Sequence, residues 1–240
     1  MKTIGLIGGM SWESTVTYYQ LINEAVKAKL GGLHSAKILL YSVDFAQIEQ
    51  YQASGAWDKS AEVLTDAAKR LKAAGADFIV ICTNTMHKVA PQIQRVIIHI
   101  PILHIADATA DALLAKGIRK TALLGTKYTM TQDFYKERLI ARGIEVVIPN
   151  NPEIETVNRV IYEELCLGVV SEASRRKYCE IIERLKKEDG AEAVILGCTE
   201  IGLLIRPEDS ALSVFDTPHI HTEAAVTLAL NGTHQSRKKY

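Results

Sequence analysis

The 240-residue chain has little of several things that would mark a specialised protein. Cysteine is scarce: there are four, none in a CxxC or other metal-ligand spacing, which excludes a disulfide framework. Net charge is absent, because 28 Lys+Arg balance 28 Asp+Glu, so no overall field draws the chain to nucleic acid or to an anionic membrane. No apolar run approaches the roughly 20 residues of a membrane span. The N-terminal MKTIGLIGGMSWEST turns polar too soon for a signal peptide. No linker rich in Pro, Gly or Ser separates two blocks, and the seven histidines lack HExxH or any paired spacing, so no metal site is expected. These absences describe a soluble, cytoplasmic protein with neither nucleic acid nor membrane as partner. What is present is 48% hydrophobic residues, in a length that buries about 70% of the surface an unfolded chain exposes.

The apolar residues come in short runs. Thr3–Ile7, Lys37–Ser42, Asp77–Cys82, Thr121–Leu124, Glu145–Ile148 and Glu192–Leu196 read as strands, each with a continuous aliphatic stretch of the kind buried on both faces of a parallel sheet. Between them lie helical periods over Ser60–Ala74, Ala108–Ala115, Gln132–Arg142, Thr156–Leu167 and Ser171–Lys187, the first with Ala61, Leu64, Ala67, Ala68 and Leu71 on one stripe. Strands alternating with helices predict an α/β fold with parallel sheets and right-handed crossovers.

The pattern repeats. Gly75–Thr83 (GADFIVICT) aligns without a gap on Gly190–Cys198 (GAEAVILGC), at an offset of 115 residues. His104-Ile105 matches His219-Ile220 at the same offset, and Arg70-Leu71-Lys72 matches Arg184-Leu185-Lys186 after a one-residue slip. Duplication predicts two similar lobes, 1–103 with 217–230 and 104–216, leaving 231–240 (NGTHQSRKKY) as a frayed polar tail. Ligands of open α/β sheets bind at the carboxyl ends of strands. The equivalent tips are Thr83-Asn84-Thr85 and Cys198-Thr199-Glu200, which two facing lobes would present to opposite sides of one cleft.

At such a tip Cys198 is either an inert buried thiol or a base or nucleophile, if nearby amides or a helix N-terminus lower its pKa from about 8.5. Cys82 aligns with Gly197 rather than Cys198, and successive strand residues point to opposite faces, so Cys82 is expected to pack into its lobe. Cys166 and Cys179 sit in helical patterns and read as structural. Gly8-Gly9-Met10-Ser11 after the first strand, and Gly125–Thr129 after its counterpart, offer backbone donors for an anion, though neither is a nucleotide-binding fingerprint. His87, four residues past Thr83, either faces the cleft or caps a helix; His219 and His221 read as structural.

These tips carry a resemblance. From IGLIGGMSWEST (4–15) through CTNTMHK (82–88), DATADAL (107–113), LLGTKYTM (123–130) and EELCLG (163–168) to GCTEIGLL (197–204), the chain resembles the aspartate/glutamate racemases, cofactor-independent amino-acid racemases, and among them the enteric broad-specificity type. The resemblance implies two flavodoxin-like lobes related by pseudo-twofold symmetry, a homodimer, and an amino-acid substrate. It also implies catalysis by two cysteines, one per tip, that remove and return the α-proton from opposite faces. The second maps onto Cys198. The first, in a CNT motif, maps onto Thr83. It points further to Asn84, Thr85, Thr199 and Glu200 as substrate contacts, with Met10, Thr126 and Thr129 at neighbouring strand ends. Gln52, on a mobile segment near 47–55, becomes available to a side-chain carboxylate where relatives place a basic residue. No lysine stands in a Schiff-base context, so no pyridoxal phosphate and no other cofactor is expected.

A threonine hydroxyl is no match for a thiolate as a base. The expected enzyme is therefore a slow racemase, or one that exchanges the α-proton of L-substrates faster than it inverts them. Two other readings stand beside it: a single-cysteine decarboxylase of substituted malonates, which protonates a carbanion once, and a non-catalytic amino-acid-binding protein.

Overall fold

The computed structural model describes residues 1–231. The chain divides into two compact units, Met1–His104 together with the chain from His221 onward, and Ile105–Ile220. Most of the expected tail, 232–240, lies outside the described residues.

The first unit runs β1 (Ile4–Gly8), α1 (Trp12–Leu30), β2 (Ile38–Ser42), α2 (Phe45–Ala53), α3 (Trp57–Ala73), β3 (Phe78–Ile81), a 3-10 turn (Thr85–Val89), α4 (Ala90–Val96) and β4 (Ile102–Leu103). The second runs α5 (Ile105–Ala115), β5 (Lys120–Gly125), α6 (Lys127–Thr131), α7 (Asp133–Ile140), β6 (Glu145–Val147), α8 (Asn151–Glu163), α9 (Glu172–Lys187), β7 (Ala193–Gly197), α10 (Ile201–Leu204) and β8 (Ser213–Asp216). The last helix, α11 (Thr217–Leu230), begins in the second unit and returns the chain to the first. Each unit holds one four-stranded parallel sheet, in the orders β2-β1-β3-β4 and β6-β5-β7-β8. Identical order is what the internal repeat leads one to expect. No described helix is long and apolar enough to cross a membrane.

The central strands are apolar because both their faces are covered. Ile4, Leu6, Phe78 and Val80 pack with Tyr18 and Ile22 of α1 and with Ala225, Val226 and Ala229 of α11. Ile7, Ile79 and Ile81 face the other way, against Leu64, Ala67, Ala68 and Leu71 of α3. The second unit repeats this sandwich. Val194 and Leu196 pack on α8 and α9, and Ala193 and Ile195 on α5 and α7. Local chemistry sets the helix starts: Ser11 caps α1, and Asn150 with Glu153 forms a reciprocal capping box on α8.

Three expectations need correction. Residues 45–53 form the regular helix α2, capped by Asp44 and with Gln52 buried inside, where a mobile strap was expected. The helix expected over Thr156–Leu167 starts at Asn151 and ends at Glu163, because the chain tightens into a 3-10 turn at Leu165–Leu167. β4 and β8 escaped the sequence reading, having only two residues in the one case and two charged or polar ends in the other.

Candidate active site

β3 and β7 end in short polar turns, and each turn carries the residues the sequence singled out. In the second unit β7 stops at Gly197. This residue must be glycine, since a Cβ there would lie 2.9 Å from both Leu123 Cδ1 and the Leu124 carbonyl oxygen. Cys198 follows, 8% exposed, its Sγ donating to Glu200 Oε2 at 2.9 Å. Thr199 Oγ1 donates to the same oxygen at 2.8 Å. Burial first, then the charge of Glu200, then this hydrogen bond push the Cys198 thiol well above its usual range. The condition attached to the base reading, a pKa lowered by amides or a helix N-terminus, is therefore not met in the resting protein. The following helix α10 spans only four residues, too short to contribute much dipole, whereas the carboxylate lies in contact. At rest Cys198 is a thiol, with an acceptor for its proton already in place.

Thr126 and Thr129 sit together at the neighbouring strand end. Thr126 caps α6, accepting from the Thr129 amide at 3.3 Å, and the two hydroxyl oxygens are 3.2 Å apart. Thr129 is fully buried, and its side chain packs beside Gly125 and Gly197.

In the first unit Cys82 is fully buried among the residues facing α1 and α11, and burial alone pushes its thiol up. It is a core residue. Thr83 is half-buried at the turn, and Asn84 and Thr85 are buried beside it. Met10, Met86 and Ile48 share one apolar cluster, and Gln52 Nε2 donates to Met86 Sδ at 2.9 Å. Met10 and Gln52 are therefore assembled at the same end of the sheet as the Asn84-Thr85 turn. The Gly9 amide, expected as an anion donor, is committed instead to Thr15 Oγ1 at 2.8 Å.

Sequence reasoning missed three features: the partner of Glu200, the placement of Lys88, and the contact of His104 with His87. Glu200, expected to touch substrate, contacts the thiol; a carboxylate two residues past a strand-end cysteine was the available signal. Lys88, on the same turn as Asn84 and Thr85, stands 3.9 Å from the Trp57 ring centroid, and partial burial lowers its pKa. His104 packs against His87 with ring centroids 4.5 Å apart. His221, read as structural, is fully buried and hydrogen-bonded on both nitrogens, while His219 pairs with Asp216 at 2.9 Å. Among the described residues, no group of three or more His, Cys, Asp or Glu side chains is placed to hold a metal ion.

Comparison with known proteins identifies the family. A candidate Asp/Glu racemase from Yersinia pestis has 57% sequence identity, over 96% of this chain and all of that one, with a TM-score of 0.90. An aspartate racemase homologue from Pyrococcus horikoshii OT3 has 40% identity over 95% and 99% of the two chains, with a TM-score of 0.84. In sequence, the broad specificity amino-acid racemase RacX of Bacillus subtilis (strain 168) is 21% identical, over 95% of this chain and 98% of its own. The family description "Asp/Glu/Hydantoin racemase" matches residues 7–225. Nearly the whole length is covered, including both polar turns: the chain belongs to the Asp/Glu/hydantoin racemase family of isomerases.

Proposed function

We propose that the chain racemises amino acids without pyridoxal phosphate, with Cys198 and the Thr83 side each acting on one face of the same α-carbon. The observation that carries the reading is the Cys198–Glu200 hydrogen bond at the end of β7. A thiol held against a carboxylate in a buried place can pass its proton over 2.9 Å, and the thiolate so formed can remove the α-proton of the L-substrate. The carbanion is then reprotonated from the Thr83 hydroxyl, or from a water on that side, to give the D-form. Reversal of these steps converts D to L. Because the equilibrium constant of a racemisation is one, a poor donor on the Thr83 side slows both directions alike.

Asn84, Thr85, Thr126, Thr129 and Thr199 are the substrate contacts in this reading, with Met10 and Gln52 beside the side chain. Gln52 is neutral, and Lys88 supplies the positive charge on its turn. The substrate set is aspartate and glutamate or a broader range of amino acids. Three large apolar side chains on one face of α1, Trp12, Val16 and Tyr19, are 65%, 55% and 54% exposed, which supports a homodimer formed through that face. Four free cysteines suit the cytoplasm.

The test is a panel of L-amino acids in deuterated water, followed by chiral analysis, for the wild type and Cys198→Ala. Expected are Cys198-dependent deuterium at the α-carbon and D-product from acidic amino acids. Binding with no Cys198-dependent exchange on any member of the panel would sink the reading and favour a sensor.

A further inference from the structure

A layer of imidazoles lies beneath the Thr83 turn, all of it within the first unit. His87 is 1% exposed in the 3-10 turn after β3, and its Nδ1 is 2.8 Å from the Thr83 carbonyl oxygen. A carbonyl oxygen only accepts, so Nδ1 carries the proton. The His87 ring meets His104, next to β4, with centroids 4.5 Å apart, and His221 in α11 with centroids 5.6 Å apart. His221 is itself fixed at both nitrogens. Nε2 donates to the Leu103 carbonyl at 2.9 Å, which leaves Nδ1 to accept from the Tyr18 hydroxyl of α1, also at 2.9 Å.

Filling space does not call for imidazoles. Buried polar rings lose hydration that aliphatic side chains would never have had, and they are retained where their directional hydrogen bonds do something packing cannot. A directional bond from this layer to the turn runs from the His87 ring to the Thr83 carbonyl. That carbonyl belongs to the peptide joining Thr83 to Asn84, so its orientation fixes both the base of the Thr83 side chain and the Asn84 amide.

We propose that His87 is a positioning residue for the Thr83 turn: its Nδ1–H holds the Thr83–Asn84 peptide, with His104 and His221 backing its ring. The proposal rests on the reading of Thr83 as the residue on the second face. A misplacement of about 1 Å at a reacting group can cost about 10²-fold in rate, so the bond matters to the step Thr83 performs and not to the step at Cys198.

Side-chain isosteres separate this role from packing. The amide nitrogen of Asn overlays Nδ1 of histidine, whereas that of Gln overlays Nε2. His87→Asn, His87→Gln and Thr83→Ala are compared with the wild type for D-product formation, for α-deuterium exchange of the L-substrate, and for thermal unfolding. The expected result for His87→Gln is a kcat for D-product at least tenfold lower, KM for the L-substrate within about twofold, and exchange retained. His87→Asn should stay within about threefold of the wild type. Equal activities of the Asn and Gln variants, or exchange falling in parallel with D-product, would overturn the role of His87. Unchanged D-product in Thr83→Ala would instead overturn the Thr83 reading, and the His87 role with it. D-product absent from the wild type across the whole panel would overturn the racemase itself.

Discussion

The thiol of Cys198 donates to Oε2 of Glu200 across 2.9 Å, at the point where β7 ends. The carboxylate opposes ionisation of the thiol in the resting protein, yet in the proposed mechanism it is the group that receives the proton.

Those two effects move in opposite directions when Glu200 is changed. In Glu200→Gln the thiol pKa should fall, because the raising charge is gone, and alkylation of Cys198 by iodoacetamide near pH 8 should accelerate. Deuterium exchange at the α-carbon of L-substrates should nevertheless slow, by about 10²-fold if the carboxylate acts as a general base. Thiol-labelling rates and exchange rates on the same preparation check the pair.

Replacing Thr83 by cysteine restores a thiol where the resemblance to the racemases places one. Turnover of D-substrates should rise by about tenfold or more, since a thiol transfers protons near neutral pH far better than an alcohol does. Turnover of L-substrates should rise in step, because kcat/KM in the two directions is tied by the equilibrium constant. Initial rates from each enantiomer, read by chiral chromatography, decide it. A gain confined to one direction at equilibrium would be an error of assay rather than a result.

Burial lowers the pKa of His221 from 6.5 to about 4. Protonation would also turn the ring's acceptor toward Tyr18 into a second donor. Between about pH 4 and 6.5 the unfolded chain binds a proton that the folded chain refuses, so stability is complete above pH 6.5 and declines as the pH falls toward 4. The gap corresponds to about 3 kcal/mol, of which about 2 kcal/mol should be lost between pH 7.5 and pH 5. Urea unfolding of the wild type and of His221→Gln over that range measures the difference. The variant, less stable at pH 7.5, should show the shallower dependence.

Trp12→Glu and Val16→Glu should convert a dimer into monomers if the exposed face of α1 is where two copies meet. Sedimentation velocity at micromolar concentration reads the outcome, with circular dichroism to show that α1 is intact. Unchanged sedimentation in both variants would remove this face from the assembly.

Gly197→Ala should destabilise the second unit by about 1–3 kcal/mol, since the added methyl meets Leu123 and the Leu124 backbone at 2.9 Å at the packed end of β7. Because the backbone at Cys198 would shift with it, proton exchange should fall as well. Chemical denaturation together with the exchange assay records both.

The strands were legible where both faces are covered, because a run such as Phe78–Ile81 or Ala193–Gly197 has nothing polar to conceal it. α1 was not legible as an amphipathic helix. Tyr18 and Ile22 face inward while Trp12, Val16 and Tyr19 face outward, so no single stripe emerges from its sequence. The tips were placed correctly at strand ends, since a repeat aligned on apolar strands carries its polar ends into register. What the tips touch was not. Glu200 lies two residues beyond Cys198 in a turn whose backbone decides which way its side chain points. Tyr18, His87, His104 and His221 are scattered over some 200 positions and meet only through the sheet order and the return of α11.

That return has a consequence for how the protein is made. Helix α11 supplies Ala225, Val226 and Ala229 to the core around Ile4 and Phe78, and the Ala229 carbonyl accepts from the Lys2 amide at 2.9 Å. Residues 1–104 therefore cannot close their interior until Ala225–Ala229, more than 120 residues further along the chain, have been made. The middle segment, 105–220, is contiguous, and its sheet is complete once β8 emerges. Domains generally fold in the order of their synthesis; here the order is inverted. A nascent chain from which β8 has emerged while α11 is still held in the ribosome would carry a complete second sheet and a first unit with an apolar face exposed, the kind of species that chaperones bind.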